Sequence, residues 1–395
     1  MNNNFFKVVK ILVCFIVFFS VGNKITGTQV ENENNDLMNS AKEDISEGVD
    51  FDEFVNTMDE YIKDNNIADI DLNEIANDML NGKETDYNAI FIKILSLFSK
   101  DIVKALTGGI TILIIVIIMG VISSMELEAK SDVTKIAHLA CFLVIATITI
   151  SSFIEIITNF KEVVSTLTTI MQVVSPFLMA ILLATGAITS TGIIEPLLLF
   201  IASAIGFIIN YIVVPFMCIS VAFNVISSMS QNLRLTKMSK LFNSTSLWII
   251  GIIFTVFLGI LSLETSLSSS VDTLAVKTTQ AAVSNFVPVV GKFFSDSFET
   301  VVGATKIISK VGGTIGILAV ILIAITPIIK ILTVLIIYKI LAALIEPICD
   351  DENISKYISG FASTYQTILG ILIGISILFV ISTGIILNLS SQIIN

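Results

Sequence analysis

The 395-residue chain is 54% hydrophobic and only 14% charged, with a formal net charge of −11 and a mean hydropathy of +0.91, totals that exclude an ordinary soluble domain. Between Glu31 and Ile90 lie 18 of the 33 acids but only 3 of the 22 bases, so the negative charge belongs to one polar segment ahead of a mildly basic, apolar body. No basic stripe points to nucleic acid, and Cys14, Cys141, Cys218 and Cys349 lack the paired spacing of a zinc site or disulfide framework.

The first residues read as a signal peptide over 1–22. Lys7 and Lys10 give a positive start, Ile11 to Phe19 an apolar stretch too short to span, and Ser20-Val21-Gly22 a small-x-small cleavage pattern. An uncleaved anchor is the competing reading, and either one leaves the acidic segment over 23–101 outside the cytoplasm. Residues Asn23 to Val49 are Asn, Glu, Asp and Ser with few apolar partners, a composition that cannot bury enough surface to order itself.

Two short amphipathic helices follow on that outer side. Phe51, Phe54, Val55, Met58, Tyr61 and Ile62 recur at helical spacing, as do Leu72, Ile75, Ala76, Met79 and Leu80. Asp71 with Glu74 resembles a capping box, and Asn81-Gly82 a helix stop. A third stretch, Ile90 to Phe98, has Lys93, Lys100 and Lys104 beside its apolar residues; it either lies among lipid headgroups or packs on the two helices before it.

From Ile102 the fold class is all-α and polytopic, because a bilayer core requires about 20 consecutive apolar residues per helix. Single spans are expected at Ile102 to Ile122, Ile136 to Ile157, Val173 to Thr189, Leu247 to Leu263 and Ser363 to Leu389. The runs Gly192 to Met229 and Val311 to Ile345 are each long enough for two passes, and Pro215 and Pro327 mark where a break is expected. Arg234, Lys237 and Lys240 stand in a loop without acids and belong on the cytoplasmic side. From an outside N-terminus, that requires two passes in Gly192 to Met229. The total is eight or nine transmembrane helices, a first bundle over 102–263 and a C-terminal one over 311–395.

Between the bundles, 264–310 reads as an extracytoplasmic amphipathic hairpin. Pro288 and Gly291 are expected to break it, leaving Phe294 and Phe298 on one side of its second helix and Asp296 on another. Two readings stand side by side: a solvated hairpin at the interface, or a dock for an extracytoplasmic partner through Pro288, Gly291, Phe294, Asp296 and Phe298.

No constellation for catalysis stands out. His138 is the one histidine, and HExxH, GxSxG and Gly-rich phosphate loops are absent from the sequence. A non-enzymatic protein without cofactor or metal is the expectation. Charges inside apolar runs are costly and default to functional hypotheses; the candidates are Lys330, Glu346, Glu195 and Glu155. Lys330, between Ile328-Ile329 and Ile331-Leu332, either marks a turn or faces a polar cavity. Pro176 precedes Glu195-Pro196 by the interval at which Pro327 precedes Glu346-Pro347, which reads either as paired halves around a substrate path or as punctuation of spans about 20 residues long. Small residues four apart at Ala202/Gly206, Gly312/Gly316 and Gly370/Gly374 allow close helix approach, within the chain or in a homo-oligomer.

At Val287-Pro-Val-Val-Gly-Lys-Phe-Phe-Ser-Asp-Ser-Phe-Glu-Thr300, Thr326-Pro-Ile-Ile-Lys-Ile331 and Tyr338-Lys-Ile-Leu-Ala-Ala-Leu-Ile-Glu-Pro-Ile348, in this order, the chain resembles the stage III sporulation protein AE family of endospore formers. The likeness covers roughly Phe51 to Leu389. It implies a subunit of the channel complex between mother cell and forespore, lying in the mother-cell membrane around the forespore with other stage III sporulation proteins. The family offers no catalytic residues to transfer. An autonomous secondary transporter of a small solute is the rival reading.

Overall fold

The computed structural model describes residues 50–65, 70–83, 90, 99–124, 132–184, 188–229, 235–260, 290–348 and 352–393. The signal peptide, the acidic linker, most of Ile90 to Phe98, and the hairpin as far as Val289 lie outside them. Among the described residues there are helices and turns but no strand.

Helix α1, Phe51–Asp64, starts where the Asp50 side chain accepts from the Glu53 amide at 2.9 Å, a bond that satisfies one of the orphan donors of a first turn. It buries Phe54, Val55, Met58 and Ile62 while Asp52, Glu53 and Glu60 face out. Helix α2, Leu72–Leu80, is capped by Asp71, which accepts from the amides of Asn73 and Glu74. Its chain then turns at Gly82, φ +72°, a left-handed conformation that glycine adopts without strain. Buried Asp59 joins the two helices: it accepts from the Leu72 amide at 2.9 Å and pairs with Lys63.

The rest is built from α3, Ser99–Ser124; α4, Asp132–Ala184; α5, Ile188–Ile208; α6, Val214–Met229; α7, Thr236–Ile260; α8, Val290–Ile345; and α9, Glu352–Ile393. The π-turn Ile209–Val213 joins α5 to α6 without a break. Six continuous stretches among the described residues are long and apolar enough to cross a membrane. This differs from the eight or nine spans expected, and the difference lies in three places where no break occurs. The pair of spans around Ile157 and Val173 is one helix, α4, running through Pro176. Gly192 to Met229 is helical throughout, and Val311 to Ile345 lies wholly inside α8.

The prolines are absorbed. A proline inside a helix removes one hydrogen bond and crowds the carbonyl four residues back. For Pro215 that carbonyl belongs to Tyr211, inside the π-turn, where the wider winding makes room. At Pro327, a cost of about 3 kcal/mol is set against the packing of Leu322, Ile323, Ala324, Ile328 and Ile331, all buried. Gly291, expected with Pro288 to break the hairpin, stands in the first turn of α8, which starts at Val290.

Contacts place the helices in alternating directions. Thr149 meets Tyr357 and Phe153 meets Phe361, so α4 and α9 run parallel. Gly109 faces Ile337 and Gly120 faces Ile348, so α3 follows α8, while Gly312 facing Phe177 and Gly316 facing Val174 run α8 against α4. Asn243 meets Thr364 and Gly370 faces Leu247, aligning α7 with α9. The Gly312/Gly316, Gly370/Gly374 and Ala202/Gly206 pairs all face helices of the same chain, Gly206 lying against Thr168. The 49-residue apolar stretch of α4 is about 74 Å long at 1.5 Å per residue, against a bilayer core of about 30 Å. At its far end Phe177 stacks on Phe54 of α1, ring centroids 3.7 Å apart and planes within 6°.

Candidate functional site

Three helices converge on one carboxylate. Glu155, midway along α4, accepts from Lys104 Nζ of α3 at 2.8 and 3.0 Å and from Lys330 Nζ of α8 at 3.0 Å. Side-chain exposure grades the three: 68% for Lys104, 43% for Glu155 and 21% for Lys330. Two ammonium groups and one carboxylate leave a formal charge of +1 where apolar helix faces meet. Pairing of this kind is what makes a charge tolerable at membrane depth. Lys330 therefore sits in a continuous helix and faces a polar cluster; no turn occurs there.

The four charged candidates separate accordingly. Glu155 and Lys330 come together. Glu195 is half-buried on α5 and Glu346 is exposed in the turn after α8, and neither joins the cluster. With Glu195-Pro196 inside a helix and Glu346-Pro347 beyond the end of one, the two halves of the proline echo stand in unlike settings. Gly291, Phe294, Asp296 and Phe298 fall on the first turns of α8, whereas Pro288 lies outside the described residues. Sequence reasoning missed Lys104, assigned to the headgroup edge, and the contact of Lys339 Nζ with Gln366 Oε1 at 3.0 Å.

Glu155 belongs to a larger feature. From Thr147 to Gln172, nine residues of α4 are exposed, and Ile154 alone of them is apolar. The others are Thr147, Ser151, Glu155, Thr158, Lys161, Glu162, Ser165 and Gln172, following steps of three and four that keep them on one side of the helix. Lys104 closes this face at α3, and Gln172 Nε2 donating to Ser203 Oγ at 3.2 Å closes it at α5. Behind it a polar and aromatic layer ties the bundle together. Tyr357 Oη lies 2.6 Å from Thr149 Oγ1, and its carbonyl accepts from Asn224 Nδ2 at 2.9 Å. Ser220 Oγ donates to the Ser239 carbonyl at 2.9 Å, and Asn243 to Thr364 at 3.1 Å. Phe142, Tyr338, Phe361 and Tyr365 pack edge-on or tilted around these bonds.

Among the described residues no group of three His, Cys, Asp or Glu side chains could hold a metal ion. What the arrangement can do is hold charge and hydroxyl groups along a membrane-length helix.

An up-and-down bundle of long apolar helices, with charges paired between three of them, defines a multi-pass helical membrane protein. Residues 70–390 match the family model described as Stage III sporulation protein AE, and the chain belongs to that family. It is 28% identical over 219 residues to the Stage III sporulation protein AE of Bacillus subtilis (strain 168), an alignment that covers 55% of each chain. The aligned part thus spans about half the length of that curated relative. No solved structure matches.

Proposed function

We propose that the chain is a non-enzymatic, multispanning component of the channel complex between mother cell and forespore, acting with other stage III sporulation membrane proteins. The observation that carries this reading is the family match across residues 70–390, which takes in the whole bundle and its Lys104–Glu155–Lys330 cluster. Its place is the mother-cell membrane around the forespore, with the acidic N-terminal segment outside the cytoplasm. Arg234, Lys237 and Lys240 then face the cytoplasm after three passes, α3, α4 and the α5–α6 helix, as the excess of positive charge on that side requires. Two passes fewer before this loop leave its side unchanged. The C-terminus then lies outside, after six passes in all. The first turns of α8, the segment that carries Phe294, Asp296 and Phe298, are the proposed dock for an extracytoplasmic partner.

The test is photocrosslinking from Phe294 and Phe298 in sporulating cells, with spore counts of a strain lacking the chain. Capture of other stage III sporulation proteins, together with loss of spores, supports the reading. Saturable, gradient-coupled uptake of a solute by liposomes holding this protein alone would replace it with an autonomous transporter.

A further inference from the structure

Among the described residues the exposed polar face of α4 has no counterpart of its length elsewhere on the bundle. Its level along the bundle is fixed by contacts: Gly206 of α5 lies against Thr168, and Gln172 bonds to Ser203. At that level, on the same helix α5, Phe200 and Phe207 are 70% and 59% exposed. Lower down, Glu155 is level with Lys104 near the start of the apolar span of α3, and Ile110 and Ile114 further along that span face outward. A zone projecting into water would be polar all round. This one is polar on one side and apolar on the others, so it lies at membrane depth with a side that lipid does not cover.

The hydroxyls alone would not require water. Thr147, Thr166 and Thr169 donate to carbonyls four residues back, a local bond that suffices in hydrocarbon. Glu155 and Lys104 pair with one another, but Lys161 and Glu162, both exposed, have no such local bond among the described residues, and exposed ionised groups at this depth that are not paired face a water-filled cavity or a partner. The close-packing pairs Ala202/Gly206, Gly312/Gly316 and Gly370/Gly374 are already occupied by helices of the same chain, and the open small residues Gly251, Thr255 and Gly259 belong to α7, a different helix from the polar face. Thr147 to Gln172 rises about 38 Å, enough to cross a core of about 30 Å.

We infer that the polar face of α4 from Thr147 to Gln172 lines a water-filled path through the membrane for small hydrophilic solutes, with Glu155 between Lys104 and Lys330 as its charged station. Its use between mother cell and forespore rests on the function proposed above; the hydration of the face does not, so each can fail without the other.

The experiment places single cysteines, in the full chain with its four native cysteines replaced by alanine, at Ser151, Thr158, Ser165 and Thr169. Controls go at Ile252 and Val256 on the exposed apolar side of α7, and at buried Val164. Each variant is expressed without other sporulation proteins and treated in intact membranes with a charged, membrane-impermeant methanethiosulfonate. Because the thiolate is the reacting form and apolar surroundings suppress it, the α4 positions should react at least about tenfold faster than the controls. Equal rates at Ser151 and Ile252, or protection of all four α4 positions, would overturn the inference. Disulfide crosslinks between copies through Thr158 would assign the face to a second copy and overturn it equally.

Discussion

Replacing Gly360 by alanine perturbs the bundle at a point where the outcome follows from geometry. A Cβ on Gly360 would overlap the whole amide group of Asn224, its Oδ1, Cγ and Nδ2 atoms. Asn224 is 3% exposed and its Nδ2 donates to the Tyr357 carbonyl at 2.9 Å. Either the amide rotates away, losing a hydrogen bond and stranding a buried donor, or α6 and α9 move apart. A lost bond with an unsatisfied partner costs about 1–3 kcal/mol, and overpacking about the same, so G360A should destabilise by about 2–3 kcal/mol. Unfolding of the purified protein in mixed micelles with increasing dodecyl sulfate measures this. Asn224→Ala empties the space the methyl needs, so G360A in that background should cost under about 1 kcal/mol, a coupling that a double-mutant cycle reads directly. Wild-type stability of G360A, or strict additivity with Asn224→Ala, would refute the packing of α6 on α9.

Glu155→Leu leaves two lysines facing each other at the cluster, whereas Lys330→Leu leaves the Lys104–Glu155 pair intact. Spore yield should therefore fall further for Glu155→Leu, and the double replacement Glu155→Leu with Lys330→Leu should recover part of it; equal yields for the single variants contradict the shared carboxylate. Phe54→Ala removes the ring stacked on Phe177 and should cost about 3 kcal/mol of docking between α1 and the bundle, seen as faster proteolysis within 50–83. Unchanged proteolysis would mean that α1 is held by other contacts. Asp59→Ala withdraws the acceptor of the Leu72 amide and the partner of Lys63; cleavage between α1 and α2 should accelerate, and an unaltered rate would count against that joint.

Helical class and membrane residence were legible because apolar runs of 20 or more residues have one physical solution. The Asp71 cap and the Gly82 stop could be read because both act within four residues. Span number could not be read the same way. Polar residues from Thr158 to Gln172 look like a loop between two spans, yet they occupy one face of a helix whose opposite side, with Phe160, Val163, Val164 and Leu167, is buried. The period of three and four was in the sequence; the expectation of a span about 20 residues long concealed it. Pro215 and Pro327 misled for a related reason, since local cost does not reveal the packing or π-turn that absorbs it. At the site, Glu155 and Lys330 could be singled out as costly charges, but their meeting with Lys104 depends on three helices 51 and 175 residues apart in sequence.

The six-pass topology and the polar path both depend on α4 crossing the membrane once as a continuous helix, and side-specific reporters measure that most directly. Reporters inserted at 125–131, at 185–187 and after Asn395 should give the first on the cytoplasmic side and the other two outside it. A reporter at 185–187 on the same side as 125–131, or a cytoplasmic C-terminus, would contradict the account.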